Sequence, residues 1–367
     1  MIWTGVGLCT DSAAQTRPIH RNSSSCLITA LLYGGLFFNS NLDKILIMEA
    51  AQTPRGTIRN FNLALDGEVV ANLIEEAFCL TNDPDGQGVL IQMRESARRL
   101  KQAKGVQFPP YVSGFVWEVD GCVVGNISIL PYASNAHRLH LVANVAVDPA
   151  FRGQGIGTAL TIKALQFSRQ TGVRKVWLQV KQENQVAIRM YQKLGFQKGH
   201  SHDTWKKSGQ PGARSSSRHF YPSLYEVRPR EYADWQLQKQ WLDINYPRAA
   251  RWYSSLDFGA LSPWAWLNPL QWLNAIDLRQ FSLFAGDELV AVLSQQRTVT
   301  RSDNLYIAAR FAPTEGEYVG ALLNRFLQED WSGKPLSVDY PAGRASGAFD
   351  ANGFTLARTL LWMHTEN

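Results

Sequence analysis

The chain has 367 residues, of which 45% are hydrophobic and 19% are charged. At roughly 150 residues per domain, this length favours two domains, and the apolar content is too high for an intrinsically disordered chain. The formal net charge of +6 is too small for the dense basic surface of a nucleic-acid-binding protein. We therefore expect a globular protein without a nucleic-acid partner.

The cysteines are scattered along the chain and contain no C-x-x-C pair; they are Cys9, Cys26, Cys79 and Cys122. This spacing argues against both a disulfide scaffold and a zinc knuckle. Reduced thiols are typical of an intracellular compartment. The sequence therefore predicts a cytoplasmic protein with reduced thiols and no metal site built on cysteine.

The first 47 residues combine a polar stretch with a short apolar run, Cys26–Phe38. The run falls short of the roughly 20 residues that a membrane helix needs, although it fits the apolar region of a signal peptide. The long polar lead-in and the lack of a clear cleavage site count against a signal peptide. We expect residues 1–47 to be a disordered or non-native extension before Met48, and we expect no membrane contact.

Apolar periodicity predicts a first domain over residues 48–207. An Asp-Gly pair between two apolar runs is a strong hairpin signal. In chain order the pattern predicts a strand at 57–62, helices at 66–79 and 90–102, a hairpin of strands at 112–119 and 122–130, a strand at 139–147, a helix at 155–171, a strand at 175–180 and a helix at 184–194. A stretch rich in glycine, serine and proline then predicts a linker at 208–222.

The same order of elements starts again in the second domain, residues 223–367. It comprises a strand at 224–227, a helix at 230–242, a hairpin of strands at 281–284 and 289–294, a strand at 305–311 and a helix at 318–329. Gly353-Phe354 closes this half as Gly195-Phe196 closes the first. The recurrence predicts a diverged tandem repeat.

A glycine-rich turn joins the strand that ends at Val147 to the helix that follows. Glycines allow the backbone to close on an anion, and a helix N-terminus offers unpaired amides and the positive end of a dipole. The glycines are Gly153, Gly155 and Gly157, so the spacing differs from the dinucleotide fingerprint, and no Gly-Lys-Ser/Thr follows as in a P-loop. The turn predicts a pyrophosphate cradle, and the alternative is a turn that merely connects two elements.

Two motifs within residues 57–200 resemble those of the GCN5-related N-acetyltransferase (GNAT) superfamily. The first, R/Q-x-x-G-x-G/A after a strand ending in V-x-P, is matched by Val147–Pro149 and Arg152–Gly157. The second, N-x-x-A-x-x-x-Y-x-x-x-G-F, is matched by Asn184, Ala187, Tyr191, Gly195 and Phe196. The resemblance implies an α/β (α+β) GNAT fold, a mixed and largely antiparallel sheet flanked by helices, which the repeat would present twice in tandem.

The resemblance also implies how acetyl-CoA, the co-substrate, would bind without a metal. The pantetheine arm would pair with main-chain groups of the strand at Val145, Ala146 and Val147. The Asn184 side chain would hydrogen-bond the pantetheine region. Backbone amides would hold the pyrophosphate, and the residues that would supply them are Arg152, Gly153, Gln154, Gly155, Ile156, Gly157 and Thr158.

The resemblance further implies direct attack of an amine, carried by a small molecule or a peptide, on the acetyl carbonyl. Tyr191 would lie near the thioester sulfur and donate a proton to the departing thiolate, and a main-chain N–H near Val145 would stabilise the oxyanion. His140 is a candidate base for the ammonium proton, and a water chain is the alternative. Simpler roles stay open: core packing for Tyr191, helix capping for Asn184 and a solvated charge for Arg152.

The second half lacks the glycine-rich cradle, since Glu315 and Glu317 follow its proline. Carboxylates beside a diphosphate would repel it. We therefore expect a degenerate GNAT-like half without cofactor binding. His200 and His202, followed by Asp203, resemble a metal cluster, but no fourth ligand is in view and we expect no metal.

The sequence thus predicts an N-acetyltransferase that uses acetyl-CoA and whose acceptor and oligomeric state are unknown. The alternative is a non-catalytic module that holds an acyl-CoA and senses or recruits a partner through its second half. An intact cradle and an intact Tyr191 favour the enzyme.

Overall fold

The computed structural model describes residues 55–102, 113–133, 138–209, 224–247, 251, 253–254, 256–265, 277–298, 302–329 and 331–366. These residues form two compact units. The N-terminal unit contains the described residues up to Leu178, together with Asn184–Gln197 and those of His364–Asn367. The C-terminal unit contains Gln179–Glu183 and the described residues of Lys198–Met363. The expected extension at 1–47 and most of the expected linker at 208–222 lie outside the described residues.

The N-terminal unit is built on a mixed sheet with the strand order β1-β2-β3-β4-β5. The first four strands pair antiparallel, whereas β4 and β5 pair in parallel. The strands are β1 (Thr57–Asn60), β2 (Ser113–Val119), β3 (Cys122–Ala133), β4 (Arg138–Val147) and β5 (Lys175–Lys181), and the helices are α1 (Leu63–Phe78), α2 (Pro84–Gln102), α3 (Ile156–Gln170) and α4 (Gln185–Lys193). The expected mixed sheet flanked by helices is confirmed.

Helix α1 begins three residues earlier than the sequence predicts because its N-cap is Asn62. The Asn62 side-chain oxygen accepts from the backbone N–H groups of Ala64 and Leu65, at 3.0 and 3.3 Å. Asp66, the expected first residue, is instead buried and accepts from both terminal nitrogens of Arg59. An asparagine cap of this kind satisfies the orphan amides of the first turn.

Helices α1 and α3 pack on opposite faces of the sheet. Val116 and Ala146 belong to a core cluster with α1. A Cβ atom on Gly125 would lie 3.0 Å from Ile156 Cγ2 at the start of α3. Because side chains alternate along a strand and Asn126 pairs with Ala146, Asn126 faces α1 while its neighbour Gly125 faces α3.

The C-terminal unit has the strand order β12-β6-β11-β10-β9-β8-β7. Its parallel pair is β10 with β11, and the other registered pairs are antiparallel. The strands are β6 (Gln197–Lys207), β7 (Tyr225–Pro229), β8 (Asp277–Ala285), β9 (Glu288–Arg297), β10 (Asp303–Ala309), β11 (Leu336–Pro341) and β12 (Thr355–Glu366), and the helices are α5 (Trp235–Asn245), α6 (Glu315–Glu329) and α7 (Ser346–Ala351). Four of these elements were not predicted from the sequence: β6, β11, α7 and β12.

Strand β6 escaped prediction because its residues are polar, and cross-strand hydrogen bonds satisfy them. Thr204 Oγ1 donates to Asp339 Oδ1 at 2.7 Å. Thr359 Oγ1 donates to Asp203 Oδ1 at 2.6 Å, and the N–H of Gly343 donates to Asp203 Oδ2 at 2.8 Å. Buried polar groups are tolerated when they are paired in this way.

Two of the cysteines lie among the described residues. Cys79 is the C-cap of α1, and Cys122 is a free and exposed thiol. Among the described helices, none combines the length and the apolar character that crossing a bilayer requires.

Two histidines of β6 pack against aromatic rings. His200 stacks on Trp362 with ring centroids 6.2 Å apart, and His202 stacks on Tyr253 at 6.0 Å. Burial lowers the pKa of His202, and burial together with His202 lowers the pKa of His200 to about 4. Within the described residues, no group of three or more His, Cys, Asp or Glu side chains is placed to hold a metal ion.

The pKa of His200 predicts an acid-dependent loss of stability. Its folded-state pKa of about 4 lies below the ordinary value of about 6.5, so the unfolded chain binds more protons between these pH values. Stability should therefore fall as the pH drops from 6.5 towards 4. We expect His200→Gln to flatten the dependence of Tm on pH over this range.

The matched control is Lys198→Gln on the same strand, because Lys198 is exposed and the change leaves the buried imidazole of His200 in place. Thermal unfolding of the three proteins at several pH values measures the effect. Equal pH slopes for the wild type and His200→Gln would contradict the assignment.

Candidate functional site

Strand β4 carries a bulge three residues before its end. Asn126 of β3 pairs with Ala146, whereas Ser128 pairs with Ala143, so two residues of β4 stand opposite one residue of β3. Asn144 lies in this bulge with φ at 52°, in the left-handed region. A bulge of this kind takes the extra residue out of the regular ladder and re-aims its groups.

The parallel pairing of β4 with β5 ends just before the bulge. It runs from Leu139 opposite Lys175 to Val142 opposite Leu178. Beyond Val142 the strand continues for its last residues through Val145 and Ala146, which are buried, to Val147. The sequence places the pantetheine-binding main chain at Val145, Ala146 and Val147, which is this last part of β4.

The segment after β4 is held in a fixed turn. The N–H of Asp148 donates to Val124 O at 2.9 Å, and the side chain of Asp148 accepts from the N–H of Ala150 at 2.8 Å. Pro149–Phe151 then forms one 3₁₀ turn. Arg152 Nε donates to Val147 O at 3.0 Å, so this side chain fastens the turn to the end of β4.

The glycine-rich turn leads directly into the first turn of α3, whose amides have no partner in the helical ladder. Gly153 and Gly155 have φ values of 76° and 83°, which glycine adopts without strain. The first helical hydrogen bond runs from the N–H of Ala159 to Gly155 O at 2.9 Å, so the amides of Ile156, Gly157 and Thr158 precede the hydrogen-bonded ladder. Gly155, the N-cap, offers no capping side chain, and Gly153, Gln154 and Gly155 are all exposed.

The end of α4 explains the spacing of the second motif. Gly195 has φ at 88°, which ends the helix in a left-handed turn. The N–H of Phe196 then donates to Tyr191 O at 3.0 Å, and the two rings meet edge to face with centroids 5.5 Å apart. The backbone hydrogen bond and the ring contact thus hold the Tyr191 ring in place at the end of α4.

The start of α4 is fixed by Asn184. Its side-chain oxygen accepts from the N–H of Ala187 at 3.1 Å, and its own C=O accepts from the N–H of Ile188 at 3.0 Å. Asn184 is buried, with 5% of its surface exposed. The side chain therefore acts as a helix cap in the described structure.

Tyr191 presents a buried hydroxyl to the interior of the N-terminal unit. The residue is fully buried, and its hydroxyl finds no hydrogen-bond partner among the described residues. Burial raises the pKa of Tyr191, so the phenol stays protonated at neutral pH and is a weaker acid than a free tyrosine. An unpaired buried hydroxyl costs roughly 1–3 kcal/mol, and such a group in a native fold calls for an explanation.

Gly157 links the three parts of the site. A Cβ atom on Gly157 would lie 3.7 Å from Met190 Sδ of α4 and 3.9 Å from Val147 Cγ2 of β4. The first turn of α3 is therefore next to the end of β4 and next to the residue that precedes Tyr191. The fold brings together the residues that the two sequence motifs select.

His140 lies elsewhere, in the core between β4 and α3. Its Nδ1 lies 2.8 Å from Ser168 Oγ, and Ser168 Oγ donates to Ala164 O, so Nδ1 is the donor in this pair. The ring stacks on Phe167 with centroids 5.8 Å apart. Burial, and secondarily Arg138, lower the pKa of His140. These contacts favour a packing role over that of a base.

Sequence reasoning missed the polar cluster around the bulge. Asn126 Nδ2 donates to Asn144 O at 2.9 Å, and Asn144 Nδ2 donates to Ser128 Oγ at 3.2 Å. All three residues are polar positions inside otherwise apolar strands. Asparagine is among the few residues that tolerate a left-handed conformation, and that signal could have pointed to the bulge.

Comparisons with known proteins agree with the two motifs. Residues 82–196, less than a third of the chain, match the model of the "Acetyltransferase (GNAT) family". An uncharacterized N-acetyltransferase of Methanocaldococcus jannaschii is 42% identical over 86 residues, which are 23% of this chain and 38% of that protein. A mycothiol acetyltransferase of Saccharopolyspora erythraea is 31% identical over 152 residues, which are 41% of this chain and 46% of that protein. The chain thus spans less than half of the length of either relative.

The fold has a counterpart among solved structures. A GCN5-related N-acetyltransferase from Sphaerobacter thermophilus matches with a TM-score of 0.50 and 15% identity, covering 86% of this chain and 97% of that chain. At this identity the match supports a shared fold alone. The residues that match the family model, 82–196, contain both sequence motifs.

Proposed function

We propose that the protein is an N-acetyltransferase that moves an acetyl group from acetyl-CoA to a primary amine. The observation that carries this proposal is the junction of β4, α3 and α4 at Gly157. It puts the amides that precede the hydrogen-bonded ladder of α3 beside a bulged strand end and beside the residue that precedes a tyrosine with an unpaired buried hydroxyl. A simple connecting turn would explain none of these three features.

The amides of the turn would hold the pyrophosphate. Ile156, Gly157 and Thr158 present N–H groups at the positive end of the α3 dipole, where anions bind favourably. Arg152 would contribute mainly through its backbone, because its guanidinium is bonded to Val147 O. When bound, acetyl-CoA supplies the acetyl thioester that reacts.

The end of β4 and Tyr191 would perform the chemistry. The main-chain N–H of Val145, in the bulge, would stabilise negative charge on the acetyl oxygen. As the amine nitrogen bonds to the acetyl carbon and the C–S bond breaks, the protonated hydroxyl of Tyr191 would donate its proton to the departing sulfur. The proton that the amine nitrogen releases would leave through a water chain. Asn184 would orient the pantetheine region while it caps α4.

We further propose that the C-terminal unit is a degenerate GNAT-like half that binds no CoA. At the start of α6, Glu315 accepts from Tyr340 Oη at 2.5 Å and from Arg344 Nε at 3.1 Å. The side chain of this carboxylate is only 8% exposed. A negative charge already occupies the helix N-terminus where a diphosphate would have to bind.

The strand of the C-terminal unit that corresponds in order to β4 is also covered by side chains. The N–H of Ile307 in β10 donates to Tyr246 Oη at 3.2 Å, and Ile307 O accepts from Asn245 Nδ2 at 3.0 Å. These bonds engage the main-chain groups that a pantetheine arm would need. In the second half, therefore, the Glu315 carboxylate occupies the N-terminus of α6. The main-chain N–H and C=O of Ile307 in β10 are already hydrogen-bonded to side chains.

Gly155→Glu should abolish CoA binding, because a carboxylate at the helix N-cap repels the pyrophosphate and fills its position. The matched control is Gly121→Glu in the β2–β3 hairpin turn. Both glycines are exposed and have nearly equal φ values, 83° and 81°, so both variants carry the same backbone strain. Isothermal titration with CoA measures the effect. Retained affinity in Gly155→Glu, or equal losses in both variants, would place the cofactor elsewhere.

Tyr191→Phe should lower kcat by at least about tenfold, because general acid catalysis typically contributes about 10²- to 10⁴-fold. The Kd for CoA should change little, because the ring and its packing on Phe196 remain. Release of free thiol from acetyl-CoA with a panel of amines measures the rate. Tyr232→Phe, an exposed tyrosine of the C-terminal unit, is the control. An unchanged kcat would remove Tyr191 from the acid role, and CoA binding with no thiol release would favour the sensor module.

The chain should bind one CoA molecule. The Glu315 carboxylate occupies the helix start of the C-terminal unit, so only the cradle of the N-terminal unit can bind a pyrophosphate. Titration of the wild-type chain should give a stoichiometry of one, and Gly155→Glu should reduce it to zero. A stoichiometry of two would contradict the degenerate role of the second half.

A further inference from the structure

Asn144 holds a backbone conformation that its strand position does not favour. The described non-glycine residues with positive φ are Cys79, Asp120, Asn144 and Ala345. Cys79 ends α1, Asp120 lies in a hairpin turn and Ala345 precedes α7. Asn144 alone among them lies inside a strand. Strain at such a position persists where the surroundings hold it, and it clusters at functional sites.

The two polar atoms of the Asn144 side-chain amide differ in their hydrogen bonding. Its Nδ2 donates to Ser128 Oγ at 3.2 Å, and its main-chain oxygen accepts from the buried Asn126 at 2.9 Å. Its Oδ1 is sealed from bulk solvent and has no hydrogen-bond partner among the described residues. The neighbours thus fix the side chain and leave one carbonyl oxygen unpaired, at a cost in stability.

This oxygen belongs to the α1 face of the sheet. Asn126 faces α1, and Ser128 shares that face because it lies two residues further along β3. Since Asn144 bonds to Ser128, its side chain lies on the same face, opposite the face on which α3 packs. The proposed cofactor cradle and this unpaired oxygen therefore approach the end of β4 from opposite faces.

We propose that Asn144 Oδ1 binds the acceptor amine and positions it on the α1 face of β4. A carbonyl oxygen can only accept a hydrogen bond, so its partner must be a donor such as a primary amine or ammonium. The inference rests on the proposed function and assigns a further residue to it. Asn144 acts as a positioning residue, and the strain of the bulge aims it.

The test compares Asn144→Gly with Asn144→Asp. Glycine tolerates the left-handed backbone and removes the oxygen, whereas aspartate tolerates that backbone and keeps an acceptor oxygen. The probes are spermidine, lysine, kanamycin and a peptide with a free N-terminus. Equilibrium binding of each amine to the CoA-loaded chain is measured first, followed by steady-state thiol release.

Asn144→Gly should weaken amine binding and raise the KM for the amine by about tenfold, the loss of one hydrogen bond, with the KM for acetyl-CoA within twofold. Asn144→Asp should keep the KM for the amine within threefold. The inference is overturned if the Gly variant keeps its affinity for the amine, if both KM values move together, or if the Asp variant behaves like the Gly variant.

The two proposals can fail separately. A wild-type chain that binds CoA but none of the amines overturns the amine site. A chain that binds an amine through Asn144 without releasing thiol overturns the proposed transferase and leaves the amine site standing.

Discussion

The bulge at Asn144 is the constraint on which the rest of the site depends. The bulge gives β4 one residue more than β3 at this point, and beyond it Ala146 and Val147 pair with Asn126 and Gly125 of β3. The register of β4 with β5 ends before the bulge, at Val142. The carbonyl of Val147 then holds Arg152, and this bond fastens the glycine-rich turn whose amides open α3. One left-handed residue thus sets the position of the strand end and, through it, of the turn.

Parts of this arrangement that follow local rules could be predicted from the sequence. The β2–β3 hairpin follows from Asp120-Gly121, and the turn before α3 follows from its glycines. The spacing from Tyr191 to Phe196 reflects one helix ending, in which the left-handed Gly195 lets Phe196 return to Tyr191 O. The bulge could not be predicted in this way, because Asn144 is held by Asn126 and Ser128, which lie far from it in sequence. His140 is a similar case, since only the fold reveals that Ser168 and Phe167 enclose it.

The C-terminal unit shows what tertiary contacts add to a weak sequence pattern. The sequence of strand β6 is polar, yet Asp203 and Thr204 are buried. Their side chains form hydrogen bonds with β11, β12 and the loop after β11. Among the described residues, the order of strands and helices from β7 to β12 resembles that of the N-terminal unit, except that α2 has no described counterpart. The chemistry of the helix start differs. A glycine-rich turn opens α3, whereas the buried Glu315, bound by Arg344 and Tyr340, opens α6. The same kind of helix end thus has no capping side chain in one unit and a satisfied carboxylate in the other.

Two of the unpaired buried atoms of the N-terminal unit differ in hydrogen-bonding character. Tyr191 Oη is a donor and Asn144 Oδ1 is an acceptor, and both are buried without a partner in the described structure. Leaving a buried polar atom unpaired destabilises a fold. Each of these two atoms therefore lowers the stability of the protein unless a ligand supplies the missing hydrogen-bond partner. Transfer from a thioester to an amine calls for one of each kind: a proton donor for the departing sulfur and an acceptor for the incoming N–H. A donor on α4 and an acceptor on the α1 face of β4 would meet these two needs from opposite sides of the reacting bond.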